Sequence, residues 1–423
     1  MSSKNETIKE SIKATREKHA GMICRVFEIK VDASKLSKQK KALLDQYFRE
    51  AKWLRNSELA KGDISLFDRD AKTATVKVGD SFEERPLKIL GSQMRQDIVD
   101  KLSSEIRGLA TKKAQGYKVG RLKFKSFCNS IPLRQYGNTY RIDFAKNTIS
   151  IQNMTKFPLK VRGLKQIKPN MDIANAKLIR KASGYYFHIT TYSAPSSNAG
   201  TGACRGIDFG IGNNLTFDDG STFNICVPES KAIKLASKRV NKSLHRNGRK
   251  KSRNHRRRVN KLRVAYEKQN NRKADLANKI VSSLTEDYDF IAIQDEMIAN
   301  WHKGLFGKQV QHSAMGSIKT KLKTNSKVHV VERSFPSTQI CPSCGRKTKH
   351  SLNERSYHCQ YCGYSHPSRD AKAAICILNE ALNQFVSTER RTQSPAEARA
   401  STITASHYRD GKLPSAKQEA HAL

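Results

Sequence analysis

The stretch CPSCGRKTKHSLNERSYHCQYCGYSHPSRDAKAA, residues 341–374, carries the densest chemical pattern in the chain. Cys341-x2-Cys344 and Cys359-x2-Cys362 form two pairs separated by 14 residues. Each pair suits a tight knuckle whose backbone N–H groups face the sulfurs, and two knuckles supply the four thiolates of a tetrahedral Zn²⁺ site. Such a closed site is structural, so the zinc itself does no chemistry. His358 and His366 flank the second pair and are expected to be ordinary surface histidines. Cys24, Cys128, Cys204, Cys226 and Cys376 have no partner at ligand spacing and are expected to pack as small hydrophobes. Asp370 follows the last ligand by eight residues. It has two readings: the N-cap of the helix that begins there, or an active-site acid beside the ribbon.

Two more acids stand where apolar segments end. Asp208 lies in GIDFG and Glu296 closes FIAIQDE. A carboxylate placed directly after a buried strand is costly unless it is paired or binds a cation. Three such acids from separate segments can meet at one spot, and two-metal phosphodiester hydrolysis uses that arrangement, with ions about 3.5–4 Å apart. Mg²⁺ takes oxygen ligands, which agrees with a set that contains no histidine. Taken singly the acids have plainer readings. Asp208 fits a turn, Asp295 competes with Glu296 for the inward position, and Asp218 and Asp219 read as a hairpin turn.

Composition narrows the partners. The chain of 423 residues holds 79 Lys+Arg against 38 Asp+Glu, a formal charge of +41, with 37% hydrophobic residues. That apolar content supports packed cores rather than global disorder. A charge this far from zero repels itself unless a polyanion neutralises it, and nucleic acid is the natural candidate. No apolar run approaches the ~20 residues of a spanning helix, so no membrane partner is expected. The start, MSSKNETIKESIKATREKHAG, lacks the apolar core of a signal peptide. Cysteines without a secretory signal point to thiols and metal in the cytoplasm.

The remaining patterns give an α+β, multidomain reading. Residues 1–20 read as a flexible tail or fraying helix. MICRVFEIKVD alternates as a strand, and Leu44, Tyr47/Phe48, Ala51 and Leu54 fall on one face of a helix starting after Ser37. Tyr47 and Trp53 are expected in its core rather than stacked on bases. DISLFDRDAKTATVKVGDSFEERP reads as a loop, and Met94, Ile98, Leu102 and Ile106 mark a second helix. RLKFKSF, TYRIDF, NTISIQN, LKVRGL and NAKLIRKASGYYFHITTYSA read as short strands of an antiparallel unit or small barrel. PSSNAGTGA, residues 195–203, is a domain boundary. Lys231 to Lys273 holds 18 Lys/Arg and one Glu in a helical pattern. Arg246, Arg249, Lys250, Lys251, Arg253, Arg256, Arg257 and Arg258 within it are candidates for phosphate contact.

The order and spelling of RGIDFGIGNNLTF, IAIQDEMIANW, STQICPSCG, YHCQYCGY and RDAKAA resemble the TnpB family of transposon-encoded proteins and the related miniature type V-F CRISPR nucleases. GYKVGRLKFKS and RKASGYYFHIT extend the resemblance over about residues 22–382. It implies an RNase H-like, RuvC-type α/β nuclease domain over 203–336 and 365–385, interrupted by a zinc ribbon over 337–364. Ahead of it, a β-barrel-like wedge domain over 21–36 and 121–198 carries a helical recognition insert over 37–120. Residues 386–423 form a disordered tail. The family's Asp, Glu and Asp fall on Asp208, Glu296 and Asp370. Two departures stand out. The strand ends in QDEM where Glu-Asp-Leu is usual, which leaves Gln294 and Asp295 as rivals to Glu296. Lys372 stands where an Asn is usual. The resemblance implies a Mg²⁺-dependent, RNA-guided DNA endonuclease in a prokaryotic cytoplasm, with guide RNA and double-stranded DNA as partners and a monomer or homodimer on one RNA. A nuclease-inactive RNA-guided repressor and a transposition accessory protein are the alternatives.

Overall fold

The computed structural model describes residues 2–194, 202–246, 252–351 and 353–392, which fall in two compact units, Met1–Ser197 and Asn198–Leu423. The tail residues 393–423, boundary residues 195–201, and Arg249, Lys250 and Lys251 lie outside the described residues.

The first unit runs α1 (Ser2–Ala20), β1 (Ile23–Val31), α2 (Lys38–Ala60), β2 (Thr73–Val78), β3 (Ser81–Pro86), α3 (Ser92–Ala114), β4 (Ser130–Leu133), β5 (Tyr140–Asp143), β6 (Thr148–Ile151), β7 (Leu159–Arg162), β8 (Asp172–Lys181) and β9 (Gly184–Ser193). Seven strands make one antiparallel sheet in the order β4-β8-β9-β1-β7-β6-β5. β1 sits inside it, paired with β9 from Ile23↔Ser193 to Lys30↔Tyr186. The apolar face of α2 (Leu44, Tyr47, Phe48, Ala51, Leu54) and that of α3 (Met94, Ile98, Val99, Leu102) share one core with the sheet. Trp53 is buried there as well, under the Arg85 guanidinium. Glu50 is fully buried on α2 because the backbone N–H groups of Lys88, Ile89 and Leu90 all donate to its carboxylate. Those bonds replace the hydration that burial removes.

Four expectations are corrected in this unit. Residues 2–20 are helical rather than a tail, and the helix is tied at its end by Lys18 and His19, both on Asp172. The presumed loop contains the β2–β3 hairpin. TATVKV alternates, and Gly79, at φ +61°, takes the left-handed position of a tight turn. RLKFKSF is not a strand; its Phe124 and Phe127 are exposed on irregular chain. The strands form a row with β4 and β5 at its edges rather than a barrel.

The second unit runs β10 (Cys204–Phe209), β11 (Leu215–Phe217), β12 (Thr222–Phe223), α4 (Lys231–Arg246), α5 (Arg253–Asp287), β13 (Phe290–Gln294), α6 (Ile298–Trp301), α7 (Gly307–His312), α8 (Met315–Leu322), β14 (Val328–Val331), β15 (Tyr357–His358), β16 (Ser365–His366) and α9 (Arg369–Thr392). Residues 386–392, read as tail, therefore continue α9. The five-stranded sheet has the order β12-β11-β10-β13-β14, antiparallel up to β10 and parallel from there on.

Strand parity sorts its two faces. Ile207, Phe209, Ile291 and Ile293 share a core with residues of α5 and α8. Cys204, Phe290, Ala292 and Val331 pack on Ile377, Ala381 and Leu382 of α9. Parallel strands buried on both faces read as continuous apolar runs, which is why FIAIQ shows no alternation. α4 and α5 form the basic hairpin, joined by a buried Ser243 Oγ···His255 Nδ1 hydrogen bond of 2.8 Å. Ser252 caps α5 by accepting from His255 N.

Candidate active site and cysteine cluster

Asp208 is positioned by parity and by one glycine. It follows Gly206 by two residues on β10, so both face α9. A Cβ on Gly206 would overlap the Ala374 carbonyl oxygen and lie 2.9 Å from Leu378 Cβ. Glycine is therefore what lets the helix lie directly on the strand. Asp370 precedes Ala374 by one helical turn and comes from the same helix face.

Parallel pairing sets the third acid. Ile207 is level with Ile293, so the C-terminal ends of β10 and β13 coincide, and Glu296 lies just past that end. The acid nearest this junction is strongly perturbed. Burial, with the charges of Asp370 and Glu296 beside it, pushes Asp208 up to about 8, against weaker opposition from Arg369 and Lys372. Glu296 is also raised by burial. Among the described residues none of the three carboxylates makes a hydrogen bond or an ion pair; nearby Arg369, Lys372, Lys319 and Arg333 act on them only through space.

The rivals to Glu296 are engaged elsewhere. Asp295 is clamped by Lys319 (2.7 Å) and Lys323 (2.9 Å), which hold its carboxyl down to about 2. The Lys319 amine also reaches the Glu296 carbonyl oxygen. Gln294 is buried; its amide donates to the carbonyls of Glu332 and Arg333 and its oxygen accepts from Ser337 Oγ. Asp370 is not the N-cap. Ser368 is, with its Oγ accepting from Ala371 N at 3.2 Å, and Asp370 stands in the first turn. Asp218 accepts from Gly206 N and Arg205, which ties the β11–β12 turn to β10.

The cysteine cluster is built from two copies of one local shape. In each, the glycine after the second cysteine donates to the first cysteine's carbonyl: Gly345 N to Cys341 O and Gly363 N to Cys359 O. Both glycines take φ near +70° (+70° and +72°), a conformation that side chains other than glycine rarely adopt. Cys341 and Cys362 sulfurs lie 3.6 Å apart, as do those of Cys344 and Cys359. Tetrahedral Zn–S bonds of about 2.3 Å place sulfurs about 3.8 Å apart, so the donors fit zinc. Burial opposes ionisation of Cys359, yet the N–H groups of Tyr361 and Cys362 and the neighbouring thiols bring it down to about 6.

Among the described residues this is the only group of three or more His, Cys, Asp or Glu whose ligand atoms all lie within 4.8 Å of one another. The three acids are spread more widely. The histidines stay outside the cluster: His358 is exposed and His366 is bonded to Ser368. Of the other cysteines, Cys204 and Cys376 are buried and Cys128 is half-buried, but Cys24 and Cys226 are exposed, contrary to expectation. Cys24 falls at an outward position of β1, opposite Tyr192.

Comparison with known proteins gives two family matches in this unit and its approach. A model described as "Probable transposase" (OrfB_IS605) matches residues 188–303, and one described as "Cas12f1-like, TNB domain" matches residues 316–377. The acid strands fall in the first match and the cysteine cluster in the second. Over these two segments the chain is similar to the TnpB family. A curated relative from Streptomyces pristinaespiralis, "Putative RNA-guided DNA endonuclease", is 25% identical over 241 residues, covering 54% of this chain. The chain spans 58% of that relative's length. A solved Cas12f1-sgRNA-target DNA complex aligns over 85% of this chain and 99% of that chain at 11% identity, with a TM-score of 0.44. The two departures from the TnpB pattern now have locations. Gln294 serves the core. Lys372, fully buried, points toward the ribbon, and burial brings its amine down to about 8.

The basic hairpin presents Arg253, Arg256, Arg257 and Arg258 to solvent, and Arg246 lies in α4. No described helix is long and apolar enough to cross a membrane. Sequence reasoning missed Gly206, Ser368 and Lys319. Gly206 alone had a usable signal, a glycine inside an apolar strand.

Proposed function

We propose that this chain is an RNA-guided DNA endonuclease whose RuvC-type centre is Asp208, Glu296 and Asp370. The carrying observation is the convergence of three unpaired carboxylates from β10, the segment after β13 and the first turn of α9. Burial and the charges of Asp370 and Glu296 raise Asp208, and divalent cations would relieve both. Donors around an ion pair about 3.5–4 Å apart need not all lie together, which agrees with acids spread more widely than the cysteine sulfurs. Two Mg²⁺ ions would activate the attacking water and neutralise charge on the leaving oxygen.

The chain's own groups have separable tasks. Asp208, on a rigid central strand, anchors the site. Glu296 and Asp370 close it from either side. The Asp295–Lys319 clamp holds the backbone that carries Glu296. The guide RNA pairs with the target strand while the first unit, with its wedge and recognition segments, reads a short adjacent motif. The exposed arginines of the α4–α5 hairpin bind phosphates, so affinity falls as salt rises. One active site cuts both strands in turn.

The test is cleavage of a plasmid carrying randomised flanking bases, programmed by the RNA that copurifies with the protein, in Mg²⁺ and in EDTA. Asp208→Ala and Asp370→Ala should each abolish Mg²⁺-dependent cutting beside one motif, while Asp295→Ala should leave residual cutting. Motif-specific binding without cuts by the unmodified chain would replace this reading with that of a guided repressor. Absence of any bound RNA would overturn guidance altogether.

A further inference from the structure

We propose that Lys372 is a positioning residue that fastens the first turn of α9, and with it Asp370, to the entrance of the cysteine ribbon. Metal loading of the ribbon then governs the order of the acid cluster. The second statement rests on the proposed role of Asp370; the first does not.

The geometry starts with helical periodicity. Residues two apart on a helix point to nearly opposite sides. Asp370 and Ala374 face β10, where Gly206 admits the helix. Lys372 and Cys376 face away from it, toward residues 337–341. The Lys372 amine donates to Ser337 O and Ile340 O, both at 2.9 Å, and lies 3.9 Å from the centre of the Tyr357 ring. Three N–H bonds meet two carbonyls and one aromatic face, so the whole donor capacity of the ammonium is used. Cys376 Sγ adds a bond to the same Ile340 carbonyl.

Each partner belongs to the ribbon or its approach. Ile340 directly precedes Cys341, and Tyr357 lies two residues before Cys359, in the small cluster of Cys341, Tyr357 and Cys359. Lys372 has no exposed surface, so water cannot replace these partners. The first turn of a helix lacks internal acceptors for its N–H groups and is where a helix frays. Here Ser368 and Arg355 hold those N–H groups; Arg369 donates to Ser351 O at 2.8 Å, and among the described residues Lys372 is the side chain of this turn bonded to residues 337–341.

The test uses the full chain with zinc content measured alongside. Amide hydrogen exchange is followed over 369–374, over the rest of α9 and over β13, and the acid cluster is titrated with Tb³⁺ alone by luminescence. Lys372→Met keeps the length and removes the donors. It should retain zinc, speed exchange in the first turn about 10-fold while sparing β13, and weaken Tb³⁺ binding about 10-fold. A zinc-selective chelator added to the unmodified chain should reproduce the first-turn change, and adding it to Lys372→Met should change that turn little further. Unchanged exchange in zinc-loaded Lys372→Met would overturn the proposal, as would a rise spread evenly over α9 and β13. Should Lys372→Met not fold, Tyr357→Leu and chelation of the unmodified chain decide by the same readouts. Failure of Tb³⁺ to bind the unmodified chain would defeat the acid-cluster reading, while exchange still reports on the fastening.

Discussion

The cysteine cluster and the acid cluster lie along the same run of chain, yet they are assembled by different physics. Each cysteine knuckle is a five-residue turn closed by its own backbone bond and a left-handed glycine. The four sulfurs meet within 4.8 Å using ligands no more than 21 residues apart. The acids come from positions 208, 296 and 370 and meet only because two parallel strands end together and a helix lies on a glycine. One site is local and tight; the other is long-range and wider. The lesson is that short-range turns build the first, whereas the fold as a whole builds the second.

The largest expected effect tests the first half of that contrast. Cys359→Ser should lose the zinc and unfold the ribbon, since structural zinc contributes on the order of 10 kcal/mol. Metal analysis and limited proteolysis within 341–364 check it. The five-stranded sheet should survive, because its cores contain none of the four ligands. Loss of the whole unit would break the comparison. Next in size, Gly206→Ala should cost about 3 kcal/mol, because the new methyl overlaps the Ala374 backbone rather than a flexible side chain. Denaturant melts measure the loss, and zinc content should be unchanged. An effect near zero would mean that α9 does not depend on this close approach.

A further effect is pH-linked. Asp208 has a folded-state pKa raised to about 8, so between the ordinary carboxylate range and about pH 8 the folded chain holds a proton that the unfolded chain has released. Metal-free stability should therefore fall as pH rises through that window. Asp208→Asn should flatten the fall, and added Mg²⁺ should oppose it in the unmodified chain only. Melting temperature against pH, compared between the two proteins, is the check. The smallest effect should come from Ser368→Ala, about 1 kcal/mol for a lost N-cap. Asp370→Ala should lose no cap energy, which separates the cap from the acid.

The same contrast explains what could be read in advance. The α2 face, the buried FIAIQ strand and the cysteine spacing are periodic or local, so each was legible from side-chain order. The β2–β3 hairpin was missed although TATVKV and Gly79 carried its signal, because the surrounding charge masked the alternation. RLKFKSF alternates and so predicts a strand. Among the described residues no strand pairs with it; the Asn56 side-chain amide holds its backbone at Lys125 instead, and alternation without a partner strand does not make a strand. Asp370 reads as a possible cap while Ser368 is the one observed, because boundary residues two apart are equally suited to capping.

Sequence alone determined that the four paired cysteines cluster, the basic character of the α4–α5 hairpin and the three acids worth watching, since residue type and short spacing carry that information. Tertiary structure decided the rest: that Asp295 is neutralised by Lys319 and Lys323, that Gln294 is spent on the core, and that Lys372 turns toward the ribbon rather than the acids. Those outcomes depend on which groups lie within a few ångströms across 24 to 43 residues of intervening chain, and a linear spacing does not encode that distance.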